Sequence, residues 1–502
     1  MNQYEFIEDP NDLLDCLLTM RKEIKQEGME TFQRWEPRIE RTSFNSSALN
    51  LAFYLALRRR DIRELQKSLI PWGLSSLGRL ESRTLENIDS VIATLAKVTE
   101  RKDIQVGYPP YHSFTLGRKQ LNDHSNYVLG DSPINRYTRI MVTLPTEAAE
   151  NNHFVSELIA HGMNVARINC AHDHPTVWLK MIENIKKAAQ QLNRPCKILM
   201  DVAGPKVRIE RLYTTLMNPK VNVEDVFFLT GEKKLESFEG AEIVLGCSIP
   251  EIIPTLEVGD AVFLDDGKLE GVVETVTHQG VMVRVKKLKI EKGLKLKAEK
   301  GINFPDKNIN IDLLTEKDKR DLDFVCQHAD IIGCSFVKDA EDILFVQSEI
   351  RKRLDEERAS KVALMVKMET VQGVQNLPEI LVTAAGKNPL CVMIARGDLA
   401  VEVGYLRLAE LQEEILWICE AADVPVVWAT QVLDTMLKTG IPTRAEISDA
   451  TKGAKAECVM LNKGPYVLDG ISILDEILEK MQEHQYKKTS KLRALSLAKE
   501  PL

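Results

Sequence analysis

The segment Ala363-Leu364-Met365-Val366-Lys367-Met368-Glu369 decides the fold. An apolar run passes straight into a lysine and a glutamate, and a second run starting at Cys391 ends in Ala395-Arg396-Gly397-Asp398 about thirty residues later. Lys367 and Glu369 are two positions apart, so on a strand their side chains point the same way. Short, near-continuous apolar runs that stop at polar residues read as parallel strands buried on both faces. One lysine and two carboxylates at neighbouring strand ends form the pattern with which a barrel enzyme builds a site for a divalent cation and a phosphate.

Working outward, six more runs share this form, at residues 139–144, 164–169, 197–201, 330–336, 425–431 and 457–462. With 363–369 and 391–398 they make eight. From Ser335 to Lys367 is 32 residues, to Arg396 another 29, to Thr430 another 34 and to Asn462 another 32. That spacing accommodates one strand, one helix and two short loops. The chain therefore reads as α/β, a (βα)8 TIM barrel whose functional residues lie at the C-terminal strand ends.

One interval breaks the rhythm. Between residues 201 and 330 the runs alternate in character, at 261–264, 271–276, 282–285 and 294–297, with turn signals at Asp265-Asp266-Gly267 and Gln279-Gly280. This predicts an inserted all-β domain at the catalytic face, placed to act as a lid. Its lysines 286, 287, 289, 292, 295 and 297 alternate with apolar residues and read as a solvated strand face rather than a nucleic-acid patch. The predicted domains are 1–135, a helical extension with linker; 136–204 and 301–488, the barrel; 205–300, the lid; and 489–502, a tail.

Composition excludes other classes. With 66 basic and 74 acidic side chains the net charge is −8, which argues against a general nucleic-acid binder. No apolar run reaches membrane-spanning length and the start lacks a basic, apolar signal, so a cytoplasmic protein is expected. Nine scattered cysteines without a CxxC pair read as reduced core thiols rather than a zinc site.

The motifs after residue 138 resemble pyruvate kinase, in the family's order. They are Met163-Asn164-Val165-Ala166-Arg167-Ile168-Asn169; Asp201 with Gly204-Pro205 and Arg208; Asp265-Asp266-Gly267; and Lys300-Gly301-Ile302-Asn303-Phe304-Pro305. Ser335-Phe336, Lys367-Met368-Glu369, Ala395-Arg396-Gly397-Asp398-Leu399, Ala429-Thr430-Gln431 and Pro442-Thr443-Arg444-Ala445-Glu446 with Ser448-Asp449 complete the set. The resemblance implies phosphoryl transfer from phosphoenolpyruvate to ADP, a reaction catalysed by positioning and charge neutralisation. It implies Glu369 and Asp398 as ligands of Mg2+ or Mn2+, Lys367 over the transferring group and the enolate, and Arg167 on the phosphoryl oxygens. Thr430 is implied near the enolate carbon, and the backbone at Arg396-Gly397-Asp398 as the seat of the substrate carboxylate. Asn169, His172, Arg208 and Lys300 match positions associated with the nucleotide.

Departures from the family pattern carry further expectations. Many members need K+, held by an asparagine and a serine after strand two and by an aspartate and a threonine after strand three. Asn169 and Asp201 remain as a residual site, but Ala171 and Val202 replace the hydroxyl residues, and Lys206 stands where K+-independent members carry lysine. A unit charge ~4 Å from a phosphate is worth ~4 kcal/mol at an effective dielectric of 20, so activity without K+ is expected. Thr143-Leu144-Pro145 lacks a glycine, Ala203 replaces a lysine, Ala400 replaces a glycine, and Asn462-Lys463-Gly464 replaces Ser-Gly-Glu.

The ends differ from the usual plan as well. The sequence stops at Leu502, soon after a helix-like stretch at 471–484, so the family's C-terminal effector domain is not expected. The extension before the barrel predicts helices at 12–25, 47–69 and 84–99, then a linker at 107–135. Arg58-Arg59-Arg60 reads as a solvated helix turn ahead of an anion site. A homo-oligomer is expected. Two other readings stay open: a barrel lyase acting on enolates of pyruvate or oxaloacetate, and an inactive phosphoenolpyruvate sensor.

Overall fold

Eight strands curl into a closed barrel because each offers apolar side chains to both faces. They are β1 (Arg139–Thr143), β2 (Val165–Asn169), β3 (Lys197–Asp201), β4 (Ile331–Cys334), β5 (Ala363–Met368), β6 (Leu390–Ala395), β7 (Val426–Ala429) and β8 (Cys458–Leu461). Neighbours pair in parallel in the order β1-β8-β7-β6-β5-β4-β3-β2, and β2 closes on β1. All positions of β5, β6, β7 and β8 are buried, as expected of a parallel sheet sheathed in helices. This is a computed structural model; it describes residues 4–290, 292–305, 307 and 311–491.

Alternation along the strands sorts the two faces. Leu364, Val366 and Met368 pack outward against the helices, whereas Ala363 and Met365 join an inner cluster with Met141, Val165, Leu199, Ile331, Met393, Val427 and Met460. The same parity, carried to the C-terminal rim, turns Arg167, Asp201 and Lys367 into the next inward layer. β2 and β3 end where the sequence runs end, and the other six strands stop one to three residues sooner. In particular β6 stops at Ala395, so Asp398 lies in the first turn of the helix Arg396–Val403 rather than on the strand.

The insert folds as a seven-stranded sheet around its own core. Its strand order is Ile302–Asn303, Ala261–Leu264, Leu269–Val276, Gly280–Leu288, Val226–Thr230, Ile243–Cys247 and Ile209–Thr214. The last three escape the alternation test. Ile243–Cys247 is buried throughout and Val226–Thr230 nearly so, and neither shows a polar face.

Before the barrel come α1 (Pro10–Trp35), α2 (Asn45–Arg58), α3 (Arg63–Leu69), α4 (Thr84–Val98) and α5 (Ser113–Leu129). Asp9 starts α1 by accepting the N–H groups of Asn11 and Asp12, with Pro10 at the first position. Two expectations need correction here. The helix read over 47–69 is two, broken after Arg58. The stretch read as linker contains the 17-residue α5, whose Val128 and Leu129 join the inner barrel cluster and plug its N-terminal mouth. The arginine triplet forms a largely exposed turn at the end of α2, as expected: Arg58 and Arg59 are exposed, with Arg58 over Trp417, while the partly buried Arg60 pairs with Glu23 and Glu27.

These helices dock on the barrel's outer ring. Trp35 donates to Glu379 at 2.7 Å, Ser47 to Asp423 at 2.8 Å and Asn50 to the Ala421 carbonyl at 2.8 Å. After the helix Val467–His484 a small hairpin, Gln485–Tyr486 with Thr489–Ser490, returns beneath the barrel. The remainder of the predicted tail, 492–502, lies outside the described residues. Among the described residues no helix is long and apolar enough to cross a membrane.

Candidate active site

Six polar side chains form one connected group at the C-terminal ends of β1, β2, β3, β4 and β5. Arg167 donates through Nε to Asp201 Oδ2 at 2.9 Å, through Nη2 to the same oxygen, and through Nη1 to Thr143 Oγ1 at 3.0 Å. Lys367 donates to Ser335 Oγ at 2.9 Å and lies 3.0 Å from Glu369 Oε1 and 3.4 Å from Asp201 Oδ2. Ser335 in turn donates its hydroxyl hydrogen bond to the Val202 carbonyl at 2.8 Å. Glu369 Oε2 accepts the Phe336 N–H at 2.7 Å.

All of these are buried except Arg167, which is half-buried, so their charges are weakly screened. Burial alone would lower the Lys367 ammonium, but Asp201 and Glu369 outweigh it and hold its pKa above the usual lysine value. Burial also works against the Asp201 carboxylate; Lys367 and Arg167 overcome it and hold Asp201 below the ordinary range. Glu369 goes the other way. Burial pushes it up, Lys367 pulls it down, and the nearby Asp398 charge adds to the rise.

Space for this group depends on Gly333. A Cβ there would sit 2.6 Å from Asp201 Oδ1 and 3.0 Å from Asp201 Cα. Nothing in the sequence pattern marks this glycine, and Ser335 emerges only from its motif.

The second carboxylate approaches from the rim. Asp398 Oδ1 accepts from Lys206 Nζ at 2.6 Å, and Lys206 also lies 3.6 Å from Asp266. Burial lowers the Lys206 pKa, but Asp398, then Asp266 and Glu369, raise it on balance. Lys206 therefore sits with the Glu369–Asp398 pair and not with Asn169 and Asp201. Asn169 instead accepts the Ala171 N–H at 3.1 Å. Glu369 and Asp398 supply the hard oxygen donors that Mg2+ or Mn2+ prefers, and the second oxygen of Asp398 makes no hydrogen bond among the described residues. Two carboxylates suffice for a cation that keeps waters and substrate oxygens in its shell, so the residues present fit the implied metal.

Beyond β7 the backbone is contorted. Thr430 and Gln431 have φ of 63° and 56°, and Leu433 has 51°. A β-branched residue in the left-handed region is strained, and such strain concentrates at functional sites. Thr430 Oγ1 accepts the Gly397 N–H at 2.8 Å, so that amide is already committed. Arg396 faces the scaffold: it donates to the Ala429 and Thr430 carbonyls at 2.9 and 2.6 Å, pairs with Asp449 and stacks over Trp428.

The remaining predicted residues sit around the lid hinge. Arg208 donates to the Glu299 carbonyl at 2.9 Å, and Lys300 pairs with Asp265 at 2.9 Å. His172 lies behind β2. Burial lowers its pKa, and the charges of Lys463, Arg208 and Arg167 add to that fall. The Asp265-Asp266-Gly267 turn, with φ of 52°, 55° and 72°, thus does more than reverse the chain: it pairs with the lysines of the hinge.

A parallel barrel with an inserted β domain, and with lysines, an arginine and paired carboxylates gathered at its C-terminal rim, has the charges to hold an anionic ligand together with a divalent cation. The family model for the barrel domain of pyruvate kinase matches residues 135–466. The chain is 32% identical over 361 residues to a pyruvate kinase of Geobacillus stearothermophilus, covering 70% of this chain and 58% of that protein. It is 31% identical over 352 residues to one from Sporosarcina psychrophila, covering 68% and 56%. With the enzyme of Staphylococcus aureus strain USA300 it shares 31% over 315 residues, 62% of this chain and half of the other. The chain belongs to the pyruvate kinase family, and it spans between half and three-fifths of the length of these relatives.

Proposed function

We propose that this protein transfers the phosphoryl group of phosphoenolpyruvate to ADP, giving pyruvate and ATP. The observation that carries this reading is the buried Arg167–Asp201–Lys367–Glu369 group at adjacent strand ends. Three of the five N–H donors of Arg167 are committed to Asp201 and Thr143, which leaves two for the phosphoryl oxygens. Asp201 fixes the plane of that guanidinium, so no reorganisation is needed when charge develops. Lys367, kept protonated by its two carboxylates, faces the phosphoryl group as its P–O bond to the enolate breaks and the bond to the ADP oxygen forms. The same ammonium neutralises the enolate oxygen left behind. Thr430, held over Gly397, lies where the enolate carbon takes up its proton.

Mg2+ or Mn2+, when bound by Glu369 and Asp398, would polarise the substrate oxygens and offset their negative charge. Asn169, His172, Arg208, Lys300 and the neighbouring Lys463 supply the cationic and polar surroundings of the nucleotide. Lys206 stands in for K+ as a fixed cation beside Asp398, so the reaction proceeds without a monovalent ion. The protein works in the cytoplasm as a homo-oligomer.

A lactate-dehydrogenase-coupled assay with phosphoenolpyruvate, ADP and Mg2+ in K+-free buffer tests this, with Lys367→Met beside the wild type. The expected result is pyruvate formation that requires ADP and vanishes in the variant. Silence of the wild type with and without K+ would overturn the kinase reading. Activity only with K+ would overturn the role of Lys206 alone.

A further inference from the structure

The N-terminal mouth of the barrel, opposite the catalytic rim, holds a cavity of about 350 Å3. It lies between α5, the starts of β1 and β8, and the terminal hairpin. Its charged lining is lopsided: Arg118, Lys119, Arg139, Lys455 and Lys487 against Glu457 alone. Lys455 is neutralised by Glu413 outside the cavity, and Lys487 by Glu457. The other three cations have no carboxylate within ion-pair distance among the described residues.

Arg139 makes the imbalance costly. It is 2% exposed, yet its guanidinium meets only neutral acceptors: the Gly130 and Tyr137 carbonyls, both at 2.9 Å, and the Asn126 amide oxygen. A buried charge without a counter-charge is expensive, and proteins ordinarily pair it. Arg118 is preorganised across the opening, 4.3 Å over the Tyr486 ring and 5.8 Å from Tyr137, and its N–H groups make no hydrogen bond among the described residues. Stacked guanidinium groups of this kind present a rigid fork to an oxyanion.

We propose that this cavity is a binding site for a small phosphate-bearing anion, separate from the catalytic face. A phosphate monoester carries close to two negative charges at neutral pH, which matches an excess of more than one cation better than a single carboxylate does. The occupant bridges α5, the barrel and the terminal hairpin, and so ties the N-terminal helices to the barrel floor.

The test is calorimetric titration of the full-length protein with inorganic pyrophosphate at fixed ionic strength, with citrate as the carboxylate arm. Pyrophosphate can also enter the catalytic face, so Arg208→Gln serves as the control for that site. The expected result is a saturable event that weakens at least about tenfold in Arg118→Gln/Lys119→Gln and persists in Arg208→Gln. Both α5 residues are exposed, and Lys119→Gln alone, which breaks no hydrogen bond or ion pair among the described residues, should weaken the same event in part. The proposal is overturned if the wild type gives no such event, if only Arg208→Gln removes it, or if citrate binds in preference to pyrophosphate.

Discussion

Two lysines divide the charge of the site between them. Lys367 is fixed by Ser335, Glu369 and Asp201 inside the barrel rim, and Lys206 reaches Asp398 from the lid hinge. Lys367→Met is expected to lower kcat by about 10^3-fold or more, because a preorganised charge at the reacting centre is removed from a dry site. It also leaves Asp201 and Glu369 buried with one cation fewer, so its Tm should fall; an unchanged Tm would mean the network is looser than its distances imply. Lys206→Gln is expected to cost at least about tenfold in K+-free turnover. Added K+ should not restore it, since Ala171 offers no side-chain oxygen and the Val202 carbonyl already accepts from Ser335. Full rescue by K+ would show that a monovalent site survives.

At the scale of elements, the barrel was legible because each strand is a short apolar run ending in polar residues, and parity then put Lys367 and Glu369 on the same side of one strand. Local pattern failed where burial removes contrast, as in Ile243–Cys247, and where long-range packing overrides composition, as in α5. Ser113–Leu129 looks like a linker because Gly117, His124 and several polar residues interrupt it. It is helical because Val128 and Leu129 find a partner surface at the barrel mouth. The partner choice of Lys206 was equally hidden, since it depends on the docked position of the lid. Gly333 is the sharpest case of an unmarked element residue that shapes the site. Gly333→Ala should push Asp201 off Arg167 and Lys367, lowering kcat by about tenfold or more while far-ultraviolet circular dichroism stays native. Wild-type kinetics in that variant would mean that β3 and β4 can part to admit the methyl group.

At the scale of the whole molecule, the junction of the N-terminal helices, the helix Tyr405–Ala421 and the terminal hairpin is an acidic cluster held by two lysines. Lys487 pairs with Glu457, and Lys488 reaches Glu81. Among the described residues Glu420 has no such direct partner: burial pushes its pKa up to about 7, Lys487 pulls it down, and Glu81 and Glu457 push it further up. Burial likewise drives Asp423 well above the carboxylate range, with Ser47 opposing. The folded protein thus retains protons here that the unfolded chain releases near pH 4.5. Stability from Glu420 is complete below that pH and is lost as pH rises through about 7. Thermal unfolding in buffers of matched ionic strength should show Tm falling by several degrees between about pH 5 and 7.5. Glu420→Gln, which stays neutral at every pH, should flatten part of that decline and raise Tm at pH 8, with Asp423 supplying the remaining slope. A wild-type Tm that climbs across this window, or an unaltered slope in Glu420→Gln, would mean that Lys487 already neutralises Glu420 and that the junction between extension and barrel carries no pH dependence of this kind.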